Sequence, residues 1–166
     1  RQAYTMRLDF LSAACGDEKT VNLNGKNINV KIPAGTTDGQ TLRLKGLGQP
    51  SPNGGSAGDV MITLNVDRHP YFTAEGANIL MELPITMKEA VLGAKVTVPT
   101  ITGNVIVNIP PYASSGEKLR LKGKGIKTKS TAGDEIITLK IISPKTANAE
   151  LEKALQTMPD EKVRSF

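Results

Sequence analysis

Apolar and polar residues alternate along most of this chain with a period of two residues. Such alternation is typical of β-strands that bury one face. The clearest predicted strands cover residues 28–32, 42–45, 62–66, 105–109, 119–122 and 137–141. Pro33 and Pro110 end two of them, because proline cannot donate a ladder hydrogen bond. Glycine and proline crowd the segment Gly48–Gly58, which predicts a mobile hairpin loop. The pattern predicts an all-β chain of short antiparallel strands.

Three short segments depart from the alternation and favour helices. Phe10–Cys15 and Lys88–Leu92 contain helix formers, and each is followed by glycine. From Ala147 to Met158 apolar residues recur at helical spacing, with Asn148 as the predicted N-cap and Pro159 as the stop. We therefore expect two minor helices and one amphipathic helix near the end of the sequence.

The chain contains one unit twice, at an offset of 77 residues. Residues 31–48 and 108–125 are identical at nine of eighteen aligned positions and share the run Leu-Arg-Leu-Lys-Gly. Average amino-acid usage would give about one identity by chance, so the two copies share a structure. We expect two tandem homologous β-sandwich domains at 1–76 and 77–145, each with a short helix, and a C-terminal amphipathic helix with its tail at 146–166.

Composition narrows the class of protein. The chain has 21 Lys and Arg against 16 Asp and Glu, a net charge of +5, and no long apolar run, so we expect no membrane span and no signal peptide. A single cysteine, Cys15, excludes a disulfide-stapled secreted fold and favours a reducing, cytoplasmic location. Cys15 itself is predicted to be a buried small hydrophobe. The chain opens on Arg1 instead of methionine, so we expect that an upstream segment has been removed.

The reactive side chains do not form a recognisable catalytic or metal site. The chain has one histidine and one cysteine, and nothing in the pattern brings Cys15 and His69 together. Zinc needs about four Cys or His ligands. The glycine runs at 45–48 and 122–125 lack the spacing of a phosphate-binding loop and predict tight turns. We therefore expect neither an enzyme nor a bound metal or cofactor.

A cluster of basic residues in the second copy leaves two interpretations open. Its members fall within twelve positions: Lys118, Arg120, Lys122, Lys124, Lys127 and Lys129. With the net positive charge, they could contact the phosphates of nucleic acid. No aromatic residue accompanies them for base stacking, which favours a solvated sheet face.

Apolar residues near the start of the chain predict a second candidate surface. They alternate on two successive predicted strands: Tyr4, Met6 and Leu8, then Lys19, Val21 and Leu23. If these strands border a groove at a sheet edge, an extended peptide could add to that edge. Methionine suits such a groove because its unbranched thioether adapts to different partners. The alternative is an ordinary sandwich core.

Several motifs occur in an order that resembles a known family. They are Pro-x-Gly-x-x-x-Gly-x-x-Leu-Arg-Leu-x-Gly-x-Gly, then Gly-Asp-Val, then His-Pro-x-Phe, and in the second copy Leu-Pro-Ile-Thr-Met-Lys-Glu-Ala-Val-Leu-Gly at 83–93. This order resembles the C-terminal substrate-binding region of the DnaJ family of J-domain co-chaperones, over roughly Tyr4 to Met158. Leu23-Asn24-Gly25-Lys26 leaves no room for the cysteine-rich zinc module of some members. The chain is therefore most similar to the zinc-free class, which includes curved-DNA-binding relatives from bacteria.

The resemblance implies two β-sandwich domains and a terminal helix that form a V-shaped homodimer. It implies that the first domain binds segments of unfolded clients, and in some members the acidic tail of the partner heat-shock chaperone. Carried onto this chain, the peptide-binding positions are Tyr4, Met6, Leu8, Lys19, Val21 and Leu23, with Phe72 nearby. Lys19 would pair with a carboxylate of the client or chaperone, and Leu151 and Leu155 would form the dimer contact.

One difference from the full-length family limits the expected activity. The J-domain tripeptide His-Pro-Asp, which stimulates the ATPase of the partner, is missing, because His69-Pro70 is followed by Tyr71. We expect a non-enzymatic fragment that holds unfolded clients for a DnaK-type heat-shock chaperone. A DNA-binding, nucleoid-associated protein is the alternative, and a purely structural dimerisation module is a third reading.

Overall fold

The computed structural model describes residues 2–48, 54–55 and 57–166. Its first unit contains, in chain order, β1 (Gln2–Leu8), α1 (Phe10–Cys15), β2 (Asp17–Leu23), β3 (Lys26–Ile32), β4 (Gln40–Leu44) and β5 (Val60–Val66). The connection from β4 to β5 includes the segment predicted to be a mobile hairpin loop, and residues 49–53 and 56 of that segment lie outside the described residues.

The second unit repeats this order with one added strand. It contains β6 (Thr73–Glu75), β7 (Asn78–Thr86), α2 (Met87–Leu92), β8 (Ala94–Thr100), β9 (Gly103–Ile109), β10 (Lys118–Leu121) and β11 (Glu135–Ile142). Helix α3 (Ala149–Gln156) follows. Strand β6 pairs with β7, so Thr73–Glu75 belong to the sheet of the second unit. The domain boundaries at 1–76, 77–145 and 146–166 stay predictions.

Each unit sets a larger sheet against a two-stranded hairpin. The sheet order is β1-β5-β4 beside the hairpin β2-β3 in the first unit, and β10-β11-β7-β6 beside β8-β9 in the second. The all-β fold with two homologous units, short helices and a C-terminal helix is therefore confirmed. The expectation of only antiparallel strands was wrong, because β1 runs parallel to β5 and β7 runs parallel to β11. Alternation has the same period in both kinds of pairing, so it carries no information on strand direction.

Alternation places one face of each strand in a hydrophobic core. The first core consists of Leu8, Ala13, Leu23, Val30, Ile32, Val60, Ile62 and Leu64. The second is larger and has at its centre Ile79, Met81, Leu83, Ile85, Val98, Val107, Ile109, Ile137 and Leu139. Full burial of one such aliphatic side chain stabilises a fold by about 1.5–3 kcal/mol. These two clusters hold the sheet and the hairpin of each unit together.

The two units share part of the second core. Ala14 and Phe72 are buried there, and Phe10 packs against the same cluster, although Phe10 and Ala14 belong to helix α1 of the first unit. The thiol of Cys15 donates to the backbone oxygen of Ile101 at 3.4 Å, which joins the units by a further contact. Cys15 is exposed, so the expectation that it is buried was wrong. Partial burial of its sulfur nevertheless raises the pKa of the thiol.

The two minor helices begin and end in the same way. The side chain of Asp9 accepts a hydrogen bond from the Ser12 amide at the start of α1, and Thr86 forms a capping box with Glu89 at the start of α2. Gly16 and Gly93 follow the two helices with φ values of 82° and 76°. A left-handed φ at both positions explains why glycine ends each helix.

Helix α3 forms where the sequence predicts it. The Asn148 side chain accepts from the Leu151 amide at 3.0 Å and caps the helix, which ends at Gln156. None of its residues is buried. Among the described residues, no helix is both long enough and apolar enough to cross a membrane.

Candidate functional site

The residues predicted to border a groove lie on β1 and β2 of the first unit, which belong to different sheets. Within the described residues, β1 pairs only with β5, and β2 pairs only with β3. Each strand therefore keeps one edge whose backbone N–H and C=O groups are free of ladder partners. Such an edge can accept an added strand from another chain.

The apolar candidates on β1 and β2 differ in how deeply their side chains are buried. Tyr4, Met6 and Val21 are half-buried and pack against the first core, whereas Leu8 and Leu23 are buried within it. Leu8 retains 1% exposure and Leu23 retains 5%. A ligand at this edge would therefore contact the three half-buried side chains, and the two leucines would support them from below.

Lys19 already has an acidic neighbour. Its Nζ lies 3.3 Å from a carboxylate oxygen of Asp17. That carboxylate also accepts from the Ser12 hydroxyl at 2.8 Å and from the Glu18 amide, and these hydrogen bonds, with that of Lys19, lower its pKa. An exposed ion pair of this kind contributes little stability, so a ligand carboxylate could replace Asp17 as the partner of Lys19.

Phe72 is in a different environment from the other predicted groove residues. It is 3% exposed and belongs to the second core, while Tyr4, Met6 and Val21 pack against the first. Its ring stacks on that of His69, with a centroid distance of 4.6 Å.

His69 organises the connection between the units. Its Nδ1 accepts hydrogen bonds from the backbone amides of Tyr71 and Phe72, at 3.3 and 3.2 Å. Nearby, Arg7 at the end of β1 donates to Asp67 at 2.6 Å. The His-Pro dipeptide therefore belongs to a turn between β5 and β6, and its histidine is engaged in that turn.

The sequence reasoning missed a cavity at the junction of the units. The cavity has a volume of about 660 Å³, and its lining includes Phe10, Thr36, Val66, Arg68, Phe72 and Ile126. Its walls come from both copies of the repeat, so comparison of one copy with the other could not reveal it. The chain has only six Phe and Tyr residues, and two of them, Phe10 and Phe72, line this cavity. Their scarcity was the one feature of the sequence that could have indicated the cavity.

The repeated Leu-Arg-Leu-Lys-Gly element binds one aspartate in each unit, through its arginine side chain and a glycine amide. In the second, Arg120 donates to Asp134 at 2.6 Å, and the same carboxylate accepts from the Gly123 amide at 2.8 Å. In the first, Arg43 pairs with Asp59 in the same way. The backbone amide and then the arginine lower the pKa of each aspartate.

The basic cluster of the second unit is only partly neutralised. Lys118, Lys122, Lys127 and Lys129 are exposed, and Arg120 is held by Asp134. The cluster can therefore present positive charge to a partner. Where the structure describes the chain, no group of three or more His, Cys, Asp or Glu side chains could hold a metal ion.

The predicted dimer contact lies on helix α3, none of whose residues is buried. Leu151 is half-buried, Leu155 is 46% exposed, and Met158 just beyond the helix is 54% exposed. At helical spacing Leu151 and Leu155 lie on the same face of α3, so the helix presents a partly exposed apolar face.

Comparison with known proteins shows the family to which this chain belongs. Residues 2–144 match the model of the DnaJ C terminal domain. The chain belongs to the DnaJ C-terminal domain family. This DnaJ C-terminal domain is 42% identical over 135 residues to the curved DNA-binding proteins of Escherichia coli strain K12 / DH10B and of Shigella boydii serotype 18. The match covers 81% of this chain and 44% of each relative, so the chain spans less than half of the length of these relatives.

Proposed function

We propose that this DnaJ C-terminal domain holds non-native polypeptides by adding an extended segment to the strand edges of the first unit. The observation that carries the proposal is a difference between the two copies. Tyr4 and Met6 are half-buried, whereas Met81 and Leu83 at the equivalent positions of the second unit retain only 8% and 6% exposure. The first unit therefore offers apolar surface that the second unit uses for its own core.

The chemistry of this edge suits an unfolded client. Backbone hydrogen bonds to a free strand edge are independent of sequence, and apolar contacts favour segments that folding would bury. Met6 adapts to side chains of different shape. Lys19 would add a preference for a nearby carboxylate, in competition with Asp17.

The family suggests the wider role. We propose that the chain acts in the cytoplasm as a non-enzymatic part of a co-chaperone, delivering clients to a DnaK-type heat-shock chaperone. We further propose that it forms a homodimer through Leu151 and Leu155. Two linked grooves would raise the effective concentration of binding sites for a client with several apolar segments. ATPase stimulation is assigned to no residue of this chain, because it contains no His-Pro-Asp tripeptide.

The groove is tested by suppression of aggregation of a chemically denatured client enzyme. Met6→Asp with Val21→Asp should weaken client binding about tenfold or more, equivalent to about 1.4 kcal/mol. A matched control is Ile106→Asp with Val163→Asp, which makes the same chemical change at side chains that are 73% and 72% exposed. The control should hold clients like the wild type.

Loss of client binding supports the groove only if the variant is still folded. Because Met6 and Val21 contact the first core, the milder pair Met6→Ser with Val21→Thr serves as a second variant, and circular dichroism checks both. If a folded variant of either pair holds clients as well as the wild type does, the groove assignment is wrong.

A second candidate function is DNA binding. Two observations favour it: the exposed lysines of the basic cluster and the name of the relatives, curved DNA-binding protein. A nucleoid-associated role predicts that duplex affinity falls steeply between about 50 and 200 mM salt and weakens in Lys122→Glu with Lys127→Glu. Absence of duplex binding at low salt would exclude this function for the chain.

A further inference from the structure

The cavity between the two units, here called the junction cavity, has a size that suits a small organic ligand. Its volume of about 660 Å³ falls within the range of about 300–1,000 Å³ that is usual for ligand pockets. One wall is aromatic, because the ring of His69 lies beside those of Phe10 and Phe72, with centroid distances of 5.6 and 4.6 Å. Ala13 and Ile126 extend the apolar lining. The junction cavity can therefore receive an apolar group of a ligand.

A glycine leaves one side of the junction cavity unfilled. A Cβ on Gly35 would stand 3.3 Å from a side-chain methyl of Ile126 and 3.9 Å from one of Thr128, both in the second unit. The 77-residue repeat places Tyr112 at the equivalent position of the second unit, where its side chain is 80% exposed. The first unit therefore has no side chain at the point where one would crowd the junction.

Two nitrogen donors that line the junction cavity have no protein partner. The Nδ1 atom of His69 accepts hydrogen bonds from two backbone amides, so the proton of the ring is on Nε2. Within the described residues, His69 Nε2 donates to no acceptor, and the exposed Arg68 has neither a hydrogen bond nor an ion pair. Because Arg68 is exposed and also lines the cavity, its guanidinium lies at the mouth.

The repeat shows that the scaffold does not require these two donors. Val66 on β5 corresponds to Ile141 on β11, so Arg68 and His69 correspond to Ser143 and Pro144. The second unit follows the same strand order with neither a cation nor an imidazole at this point. The two donors therefore belong to the junction and not to the repeated unit.

Two carboxylates at the junction cavity limit the charge of a ligand. Asp67 is compensated by Arg7, with an N–O distance of 2.6 Å. Asp38 accepts from the Val66 amide at 2.8 Å and has no cationic partner in the part of the chain that the structure describes. A phosphate ester with two or more charges would meet this carboxylate with only Arg68 to compensate it. The lining therefore favours a ligand with a single negative charge.

We propose that the junction cavity binds small organic carboxylates that have an apolar, preferably aromatic, body. The ligand carboxylate pairs with the guanidinium of Arg68, whose planar fork matches it, and accepts from Nε2 of His69. The apolar body enters the cavity beside Phe10 and Ile126. The same chemistry occurs in a free aromatic acid and in the C-terminal residue of a peptide that ends in phenylalanine. This site is separate from the strand edges proposed to hold clients.

A ligand in the junction cavity would contact both units and stabilise their docking. The Gly35 amide donates to the Ala13 oxygen at 2.9 Å, and the Ile126 amide donates to the Ala77 oxygen at 2.8 Å. These two hydrogen bonds lie on opposite sides of the junction. A saturating ligand should slow hydrogen exchange of both amides, because a ligand that binds only the folded state stabilises it by mass action.

A chemical-shift titration of the 15N-labelled chain tests the site. The probes are 3-phenylpropionate and, as the uncharged match, 3-phenylpropionamide. The acid should bind about fivefold more tightly than the amide and shift amides of residues 35–38, 67–76 and 126. A second pair, acetyl-Gly-Ser-Gly-Phe with a free carboxylate and its C-terminal amide, separates the two sources. Tighter binding of the peptide acid than of the free acid identifies a polypeptide terminus, and the reverse order identifies a free small molecule.

Three variants locate the carboxylate and the apolar body. Arg68→Gln should weaken binding of the acid about fivefold and abolish its preference over the amide, whereas Arg68→Lys should keep part of that preference. The matched control is Arg164→Gln, at an exposed arginine beyond α3, which should bind like the wild type. Ala74→Phe introduces a ring at an exposed residue that lines the cavity, and it should abolish the shifts while the spectrum stays that of a folded chain.

Several results would overturn the proposal. They are equal affinity of the acid and the amide, wild-type affinity of folded Arg68→Gln for the acid, and no shift with any probe up to its solubility limit. Shifts confined to β1 and β2 would place the ligand in the proposed client groove and would also overturn it. Met6→Asp with Val21→Asp should leave the affinity for 3-phenylpropionate unchanged, so failure of the groove and failure of this site are distinguishable.

Discussion

A buried carboxyl group in the second unit should make the stability of that unit depend on pH. Glu135 at the start of β11 has 0% exposure, and neither of its carboxyl oxygens has a hydrogen-bond partner. Its side chain shares the core face of the strand with Ile137 and Leu139. Burial alone raises its pKa from 4.5 to about 7.

No charged group compensates this carboxyl within the described residues. Asp134, next in sequence, is held at the surface by Arg120, and on the adjacent strand Glu82 pairs with Lys140. The first unit provides an internal reference, because the alternate core-facing residues Glu135, Ile137 and Leu139 of β11 correspond to Val60, Ile62 and Leu64 of β5, with valine in place of glutamate.

The sign of the effect follows from proton binding. Between about pH 4.5 and pH 7 the folded chain keeps a proton on Glu135 that the unfolded chain has released, so the stability from this group falls as pH rises through that range. A pKa raised from 4.5 to about 7 corresponds to a loss of at most about 3 kcal/mol. Below pH 4.5 the penalty is absent, because both states are protonated.

Glu135→Val removes the titrating group. At pH 5 the variant should be close to the wild type or less stable by about 1 kcal/mol, because valine is smaller and leaves a cavity. At pH 8 it should be more stable by about 2 kcal/mol. Denaturant titrations at both pH values measure the free energy of unfolding. Hydrogen exchange of the β7 and β11 amides measures the stability of the second unit separately from that of the first.

Val60→Glu is the matched control, because it places the same group at the equivalent site of the first unit. It should give the β1 and β5 amides the pH dependence that Glu135→Val removes from β7 and β11. Parallel pH profiles for the wild type and Glu135→Val would refute the reasoning, since they would show that the carboxyl ionises without cost.

Three further experiments test other features of the fold. Asp134→Asn should lower Tm at neutral pH, where the Asp134 carboxylate is ionised and accepts hydrogen bonds from Gly123 and Arg120. Because these bonds lower the pKa of Asp134, the difference in Tm should shrink as pH falls toward that lowered pKa. Thermal melts at pH 7 and pH 3 measure the difference. Asn148→Ala should cost helix α3 about 1 kcal/mol, seen as lower helical content by circular dichroism and a weaker dimer in sedimentation, and unchanged helicity would contradict the cap. Gly133→Ala should cost more than about 4 kcal/mol of stability or prevent folding, because the new Cβ would stand 1.9 Å from a backbone oxygen. The control Gly116→Ala has open space around the new Cβ and should cost about 1 kcal/mol. Comparable expression and unfolding midpoints for the two variants would show that the backbone shifts easily.

Local patterns anticipated the elements of this fold well. The apolar alternation of β3, β5, β9 and β11 reports which face of a strand is buried, and this needs only the neighbouring residues in sequence. The cap at Asn148 and the glycines after α1 and α2 likewise depend on local chemistry. The 77-residue repeat then required that both units share one architecture.

The candidate site was less accessible from the sequence. Alternation marked Tyr4, Met6, Leu8, Val21 and Leu23 as one inward face but could not tell half-buried from buried positions. Only the family resemblance placed Phe72 near this edge, and the structure places its ring in the second core. The depth of a side chain depends on which strand or helix covers it, and that element lies far away in sequence.

The sequence by itself determined that the protein has two homologous β units, the approximate positions of six of their strands and of the three helices, and that it resembles a DnaJ C-terminal region. Those properties follow from interactions between residues a few positions apart and from the similarity of the two copies. The tertiary structure decided the parallel pairing of β1 with β5, the docking of α1 onto the second unit, the orphaned carboxyl of Glu135 and the exposure of Tyr112. Each of these depends on contacts between distant segments, so equivalent positions of the repeat came to be buried in one unit and uncovered in the other.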